Sequence, residues 1–304
     1  MDFGVIGNCK SAALVDSQGN IIWCCLPDFD SPSVFAQLLD AKKGGAFSVH
    51  VDNTYSISQR YLTNTNILAT RYESPHGGFE ILDFMPRYKQ EGQYHTPPEV
   101  VRYIRHIYGA PEVRFQYNPR LGYAQHETSH NIETEYLKSS VTKGLYDSVY
   151  FYSNLSYENL LSGNRITIDS DSYALLSYHQ KILGVDLNRI ILEFEKTKVY
   201  WLDWIDRTAT FTRFHSEIKR SALVLKLLSY QETGAILAAV TTSLPETIGE
   251  QRNWDYRFCW IRDASMTLNI LTQLGHFNVA ERFFDYILDA KKGGAFSVHV
   301  DNTY

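Results

Sequence analysis

The sequence contains little cysteine and no long apolar run, and each shortage excludes a class of protein. Its four cysteines are Cys9, Cys24, Cys25 and Cys259, and none belongs to a CxxC pair. We therefore expect buried thiols in a reducing, cytoplasmic compartment rather than a disulfide framework. No stretch of about 18 apolar residues occurs, so no membrane-spanning helix is expected. The opening residues lack a basic leader followed by an apolar run, so we expect no secretory signal.

The chain also lacks a concentration of charge of either sign. Its formal net charge is −5 and its pI is near 6.1, with basic residues scattered along 304 positions. With this charge distribution, we expect the chain to bind neither nucleic acid nor an anionic membrane. The sequence contains no Walker loop, no GxGxxG and no GxSxG. We therefore expect no cofactor and no serine-hydrolase elbow.

Aromatic residues, by contrast, are abundant: the chain has 21 Tyr, 16 Phe and 5 Trp. Tyrosine-rich chains favour β structure. Short apolar runs at 12–15 and 21–26 flank the polar turn DSQGN at 16–20, and similar runs recur until about residue 200. This spacing predicts a large antiparallel β sandwich.

The periodicity changes after Tyr200. Apolar residues at 218, 222, 225 and 228 recur at helical spacing, as do those at 264, 268, 271 and 274 before Gly275. A third helix is predicted to open at Asn278. The sequence therefore predicts a β domain at 1–200, a linker at 201–217 and a helical domain at 218–287.

Seventeen residues, LDAKKGGAFSVHVDNTY, occur twice, at 39–55 and at 288–304. Structural repeats diverge in sequence and come in series of three or more, unlike a single identical copy. The first copy alternates as a strand does, with Phe47 and Val49 opposite Ser48 and His50. The second copy interrupts the third predicted helix. We interpret it as a duplication at the DNA level that is not native to the fold.

The residues His126-Glu127-Thr128-Ser129-His130 match the zinc-hydrolase pattern HExxH. The pattern works only on a helix, where both imidazoles share a face and the glutamate acts as base. The surrounding residues do not predict a helix. A zinc hydrolase is therefore a remote alternative, and we expect no metal.

The run NWDYRFCWIRDAS at 253–265 alternates four aromatic residues with polar ones and ends with Arg262 and Asp263 at the start of a predicted helix. Aromatic rings stack on the C–H faces of a pyranose, while arginine donors and carboxylate acceptors bind neighbouring hydroxyls. This mixture is typical of sugar sites. The alternative is structural: Asp263 caps the helix, Arg262 pairs with it, and Trp254 and Trp260 are core residues.

Several runs of the chain together resemble glycoside hydrolase family 15, the glucoamylase, glucodextranase and trehalase-like group. The resemblance covers residues 1 to about 287 in order. It rests on SALVLKLL at 221–228, TGAI at 233–236, TTSLPE at 241–246, NWDYRFCWIRDAS at 253–265 and the opening run at 4–40.

The resemblance implies an antiparallel β supersandwich followed by the first helices of an incomplete α/α six-hairpin barrel. It implies inverting hydrolysis of α-glucosidic bonds, with an α-glucan, a maltooligosaccharide or trehalose as ligand. Arg262 and Asp263 would hold hydroxyls of the sugar in the −1 subsite, and Tyr256 and Trp260 would shape that subsite or stack on the sugar.

Inverting hydrolysis needs two carboxyl groups about 6.5–9.5 Å apart. In the family both are glutamates of later barrel helices, and Glu246 and Glu250 match neither position. The resemblance thus implies a truncated chain without the catalytic acid and base. The alternative is a non-catalytic carbohydrate-binding or accessory fragment. An incomplete barrel would also expose apolar helix faces, so self-association is expected.

Overall fold

A computed structural model of the chain describes residues 3–144, 146–242, 247 and 249–291. Two features of the sequence lie outside these residues, namely Glu246 and the second copy of the repeat beyond Lys291. The chain divides into two compact units, residues 1–200 and 201–304. Among the helices described, none has both the length and the apolar character that crossing a membrane requires.

The first unit consists mainly of antiparallel strands, as the sequence predicts. Seven of them form one sheet: β1 (Phe3–Gly7), β2 (Ala12–Asp16), β3 (Ile21–Cys25), β4 (Ser33–Phe35), β5 (Ala46–His50), β12 (Glu112–Asn118) and β16 (Arg165–Thr167). The eight-stranded sheet contains β6 (Ser56–Tyr61), β7 (Leu68–Ser74), β8 (Gly77–Phe84), β11 (Glu99–Gly109), β13 (Ser129–Ile132), β14 (Leu137–Val141), β15 (Asp147–Ser153) and β17 (Ser172–Tyr178). A separate hairpin joins β9 (Tyr88–Gln90) to β10 (Gln93–His95).

The two large sheets face each other across one apolar core. Their strand orders are β1-β2-β3-β5-β12-β16, with β4 beside β3, and β13-β14-β15-β17-β11-β8-β7-β6. Phe47 and Phe115 of the smaller sheet share this core with Phe79 and Phe151 of the larger one. Phe47 contacts Phe151 edge-to-face, with ring centroids 5.7 Å apart. The core therefore consists of the inward-facing residues of both sheets, as in other sandwiches.

The eight-stranded sheet is covered on its second face as well. Helix α2 (Leu187–Asp206) packs there through Ile190 and Phe194, against a second apolar cluster that includes Leu82 and Leu175. Every residue of β8 is consequently buried, so its sequence GGFEILDF lacks the alternation of a strand with one solvated face. A short helix, α1 (Tyr157–Ser162), starts at Ser156, whose hydroxyl accepts a hydrogen bond from the Asn159 amide.

The structure corrects the sequence prediction at residues 187–206, which form helix α2. The prediction gave strands up to residue 200 and a linker at 201–217. Ile190, Phe194, Trp201 and Trp204 are spaced by four, seven and three residues, which is a helical period. Helix α2 therefore extends past the predicted domain boundary, and the segment 201–217 begins inside it. That segment ends in the first turn of the next helix, α3 (His215–Leu227).

The second unit contains the end of α2, α3 and two further helices, α4 (Ile261–Gln273) and α5 (Phe277–Lys291). All three predicted helices are present. Helix α4 ends at Gly275, whose φ of +93° is the left-handed conformation that a helix C-terminus commonly needs. The backbone N–H of Gly275 donates to the Thr272 carbonyl at 3.0 Å.

Helix α5 includes the first four residues of the second repeat copy, Leu288–Lys291. The same four residues of the first copy, at 39–42, form turns between β4 and β5. The surroundings of each copy thus determine its conformation. In the first copy, Phe47 and Val49 are buried and His50 is exposed, as the alternation predicts.

All four cysteines lie in the described part of the chain, and each is a buried thiol. This agrees with the sequence prediction.

Candidate functional site

The aromatic run of the second unit turns at Tyr256 and Arg257 and leads directly into α4. Its backbone carbonyls accept hydrogen bonds from an earlier segment: Ala239 N–H donates to Tyr256 at 2.8 Å, and Ala238 N–H donates to Phe258 at 3.2 Å. Arg257 and Cys259 are buried, whereas the aromatic residues of the run are partly exposed. The run therefore leaves part of each predicted aromatic side chain accessible to solvent.

Three aromatic rings cluster at the start of α4. The Tyr256 and Trp260 centroids are 5.6 Å apart, and the Trp254 and Trp260 rings meet edge-to-face at 6.4 Å. The Trp260 indole N–H donates to the Asp255 carbonyl at 3.3 Å, which fixes the orientation of the ring. None of the three is fully buried. Trp254 and Trp260 are thus partly buried against each other, intermediate between the sugar-site interpretation and the structural alternative.

Arg262 and Asp263 form an ion pair on the first turn of α4. Arg262 Nη2 and Nε lie 3.0 and 3.2 Å from Asp263 Oδ2. The side chain of Arg262 is 67% exposed, and that of Asp263 is 34% exposed. The guanidinium carbon is 5.8 Å from the centroid of the Trp260 ring. The structure thus brings three of the four predicted site residues into one group, and Tyr256 joins them through Trp260.

The structural alternative is partly observed here. Arg262 does pair with Asp263, but Asp263 is not the N-cap. That position belongs to Trp260, and no side chain caps it. A carboxylate in the first turn still gains from the positive end of the helix dipole. The ion pair therefore stabilises the start of α4 and remains accessible to solvent at the same time.

A second ion pair, which the sequence analysis did not predict, lies within the run. Arg257 Nη2 lies 2.7 Å from Asp255 Oδ2, and the Arg257 backbone N–H donates to Asp255 Oδ1 at 3.0 Å. Arg257 is only 6% exposed. The available signal was an aspartate two residues before an arginine, because an aspartate carboxylate often accepts a hydrogen bond from the backbone two residues on.

Cys259, between these residues, is not a reactive thiol. Burial raises its pKa, and Ile236 and Tyr286 lie close enough to hydrogen-bond to it. A thiol whose pKa is raised by burial is a poor nucleophile at neutral pH. Cys259 thus anchors the run in the unit.

The zinc pattern lacks the helix that it requires. His126 lies in a bend, and His130 lies on strand β13, where its Nδ1 is 2.9 Å from the Ser139 hydroxyl. The two imidazoles therefore do not share a helix face. Among the residues that the structure describes, no three His, Cys, Asp or Glu side chains are arranged to hold a metal ion. Of the two glutamates considered near the site, Glu250 is exposed.

Two family models match the chain. The trehalase-like N-terminal model matches residues 2–148, and the glycosyl hydrolases family 15 model matches residues 212–294. The chain is thus similar to glycosyl hydrolase family 15 over residues 212–294 and to the trehalase-like N-terminal family over residues 2–148. The resemblance read from the sequence is confirmed over these residues, and the fold of the chain is a β sandwich followed by helices.

Its curated relatives carry the name trehalase. The chain is 33% identical over 296 residues to "Trehalase" of Thermoplasma volcanium, covering 94% of this chain and 46% of the relative. It is 32% identical over 284 residues to "Trehalase" of Thermoplasma acidophilum, covering 91% and 48%. "Trehalase 1" of Sulfolobus acidocaldarius is 33% identical over 298 residues, covering 94% and 48%. The chain therefore spans about half the length of these relatives.

Proposed function

We propose that this chain forms the sandwich and part of the sugar site of a glycosidase that hydrolyses trehalose. In this proposal Tyr256, Trp260, Arg262 and Asp263 hold the sugar in the −1 subsite. One observation carries it, namely the solvent-accessible Arg262–Asp263 ion pair beside the Trp260 ring. The trehalase names of the relatives support the choice of substrate.

The ion pair leaves one donor group of Arg262 and one acceptor oxygen of Asp263 available for hydrogen bonds. It uses Arg262 Nε and Nη2 and Asp263 Oδ2, and within the described residues neither Arg262 Nη1 nor Asp263 Oδ1 makes a hydrogen bond. A donor and an acceptor side by side match two neighbouring hydroxyls of a pyranose. The Trp260 and Tyr256 rings offer apolar faces for its C–H groups.

We propose that helices α3, α4 and α5 are the opening helices of an α/α six-hairpin barrel, with residues 218–287 as the native part. We also propose that the catalytic acid and base are absent from this chain. The resemblance supports this, because it assigns both roles to glutamates of later barrel helices, and Glu246 and Glu250 match neither position. The 304-residue chain alone should then release no glucose from trehalose, maltose or starch. Glucose release above a heat-treated control would refute this part of the proposal.

A non-catalytic carbohydrate-binding role is the second candidate. The same accessible pair and rings favour it, since binding needs no acid or base. The two candidates differ in one outcome: joining this chain to the remaining half of a relative should restore hydrolysis under the first and not under the second.

The sugar site itself is tested by substitution. Arg262→Ala removes charge-assisted hydrogen bonds worth about 1.5–3 kcal/mol each, so the affinity for trehalose should fall roughly 10- to 100-fold. Arg213→Ala, which also removes an exposed arginine of the second unit, is the matched control. Calorimetric titration with trehalose and with maltose measures both variants. Unchanged affinity in Arg262→Ala would favour a purely structural ion pair.

A further inference from the structure

The sandwich carries a cavity that the proposed sugar site does not use. It lies between the β2–β3 turn and the segment from β5 to β6, and its volume is about 210 Å³. Polar side chains of Gln18, His50, Asp52 and Asn53 line it. Ligand cavities for drug-sized molecules measure about 300–1,000 Å³, so this one accommodates about one six-membered ring.

The wall of the cavity is fixed by hydrogen bonds within the sandwich. Asn20 accepts from the Val49 amide at 2.7 Å and donates to the Asp16 carboxylate at 2.8 Å. Tyr55 donates its backbone N–H to the Asp52 carbonyl at 3.0 Å, and its hydroxyl accepts from the Glu112 amide at 3.2 Å. A ligand would therefore meet a wall that is already ordered, which lowers the entropic cost of binding.

Other groups in the cavity are available to a ligand. The side chains of Gln18, His50 and Asn53 are exposed and make no hydrogen bond to any residue that the structure describes. Two amides and one imidazole together offer both donors and acceptors. Val51, Tyr55 and Ile57 add an apolar strip to the lining.

The charges of the side chains that line the cavity restrict the chemical class of its ligand. Asp52 is the only Asp, Glu, Lys or Arg among the described lining residues, and it also lies 3.6 Å from Arg165. An anionic ligand would find no lysine or arginine among those lining residues, and a metal ion would find one carboxylate. A neutral molecule with several hydroxyls and one apolar face fits all of these groups. A pyranose ring has that surface.

We propose that this cavity binds one ring of a neutral sugar, such as a glucose unit of trehalose or maltose. The site is independent of the Arg262 site and of any hydrolysis. It would hold a substrate or product on the sandwich unit, separately from the proposed catalytic subsite.

Titration of the 304-residue chain with maltose and with trehalose tests the proposal by NMR. Backbone amide signals of residues 49–55 should shift saturably in the millimolar range. The double variant His50→Ala/Asn53→Ala removes two hydrogen-bonding side chains, so the affinity at this site should fall about tenfold. His126→Ala, which replaces an exposed histidine elsewhere in the same unit, should leave the affinity unchanged.

Each outcome decides between the two sites. Shifts at 49–55 that persist in Arg262→Ala and weaken in His50→Ala/Asn53→Ala support the cavity. Binding that Arg262→Ala abolishes and His50→Ala/Asn53→Ala leaves intact overturns the cavity and leaves the proposed function standing. Equal shifts with acyclic sorbitol, or none with either sugar, also overturn it. Since the signals of the unaltered chain report binding directly, a variant that fails to fold does not block the test.

Discussion

Arg102 is buried in the sandwich and bonds to both sheets. On β11 it lies 2.8 Å from the Asp83 carboxylate of β8, and it donates to the Phe47 carbonyl of β5 at 3.2 Å and to the Gly19 carbonyl. Burial raises the pKa of Asp83, and the Arg102 charge opposes that shift. A buried charge without its partner is costly, so each member depends on the other.

Arg102→Ala should therefore destabilise the sandwich by about 3–5 kcal/mol. Equilibrium denaturation in urea measures the loss. Arg114→Ala removes an exposed arginine of β12 and should change stability by less than about 0.5 kcal/mol. If Arg102→Met/Asp83→Leu is as unstable as Arg102→Ala, the cost arises from lost packing and not from the unpaired carboxylate.

His276 should make the second unit sensitive to acid. Its ring stacks on Trp204 with centroids 3.9 Å apart, and its Nε2 is 2.9 Å from the Thr208 hydroxyl. Burial first, then the charges of Lys226 and Arg207, lower the pKa of His276 to about 4. The folded form thus binds the proton less well than the unfolded chain, in which the pKa is about 6.5.

Neutral His276 makes its full contribution to the free energy of unfolding above pH of about 6.5. This contribution is lost as the pH falls towards 4, because the unfolded chain binds the proton more tightly. The free energy of unfolding should fall by about 3 kcal/mol over this interval. Tryptophan fluorescence during urea unfolding at several pH values reports it. His276→Gln should remove most of the pH dependence in this interval, and an unchanged profile in that variant would assign the effect to other groups.

Gly275 determines the backbone conformation of the connection between α4 and α5. An added Cβ would lie at an ordinary 3.5 Å from the Arg207 carbonyl, so space is not the constraint. The constraint is φ, which at +93° is unfavourable for residues with a side chain. Gly275→Ala should cost about 1–2 kcal/mol, and Gly275→Asn should cost less because asparagine tolerates this region better. Thermal unfolding of both variants makes the comparison, and equal losses would point to crowding.

Local periodicity predicted the strands and the three later helices because apolar and polar residues alternate there with the period of the element. It missed α2 because Tyr200, Trp201 and Trp204 give the second half of this helix an aromatic composition that is common in strands. At the HExxH match the residues around the motif correctly predicted that His126–His130 is not a helix. At the candidate site, residue chemistry predicted Arg262 and Asp263 as sugar-binding residues, and this assignment stays a prediction. The Arg257–Asp255 ion pair was not predicted, because composition does not reveal which side chains of the run are buried.

At the scale of the whole molecule, α5 carries an exposed apolar stripe. Phe277, Phe284 and Leu288 are seven and four residues apart and share a face, and each is more than half exposed. We expect the chain to self-associate through this stripe. Phe284→Glu should raise the monomer fraction in light scattering after size exclusion. Leu183→Glu, at an exposed leucine of the first unit, should not, and equal effects of the two would implicate net charge instead.

The continuity of α2 has a practical consequence for anyone who divides this protein into parts. Cutting between Tyr200 and Trp201, where the contacts separate the units, would sever a helix in its second half. Four backbone N–H groups on one side and four carbonyls on the other would lose their helical partners. Trp201 is fully buried, and the cut would leave it at a new chain terminus. A sandwich fragment that retains α2 through Asp206 keeps that helix intact and is the better starting point for separate expression.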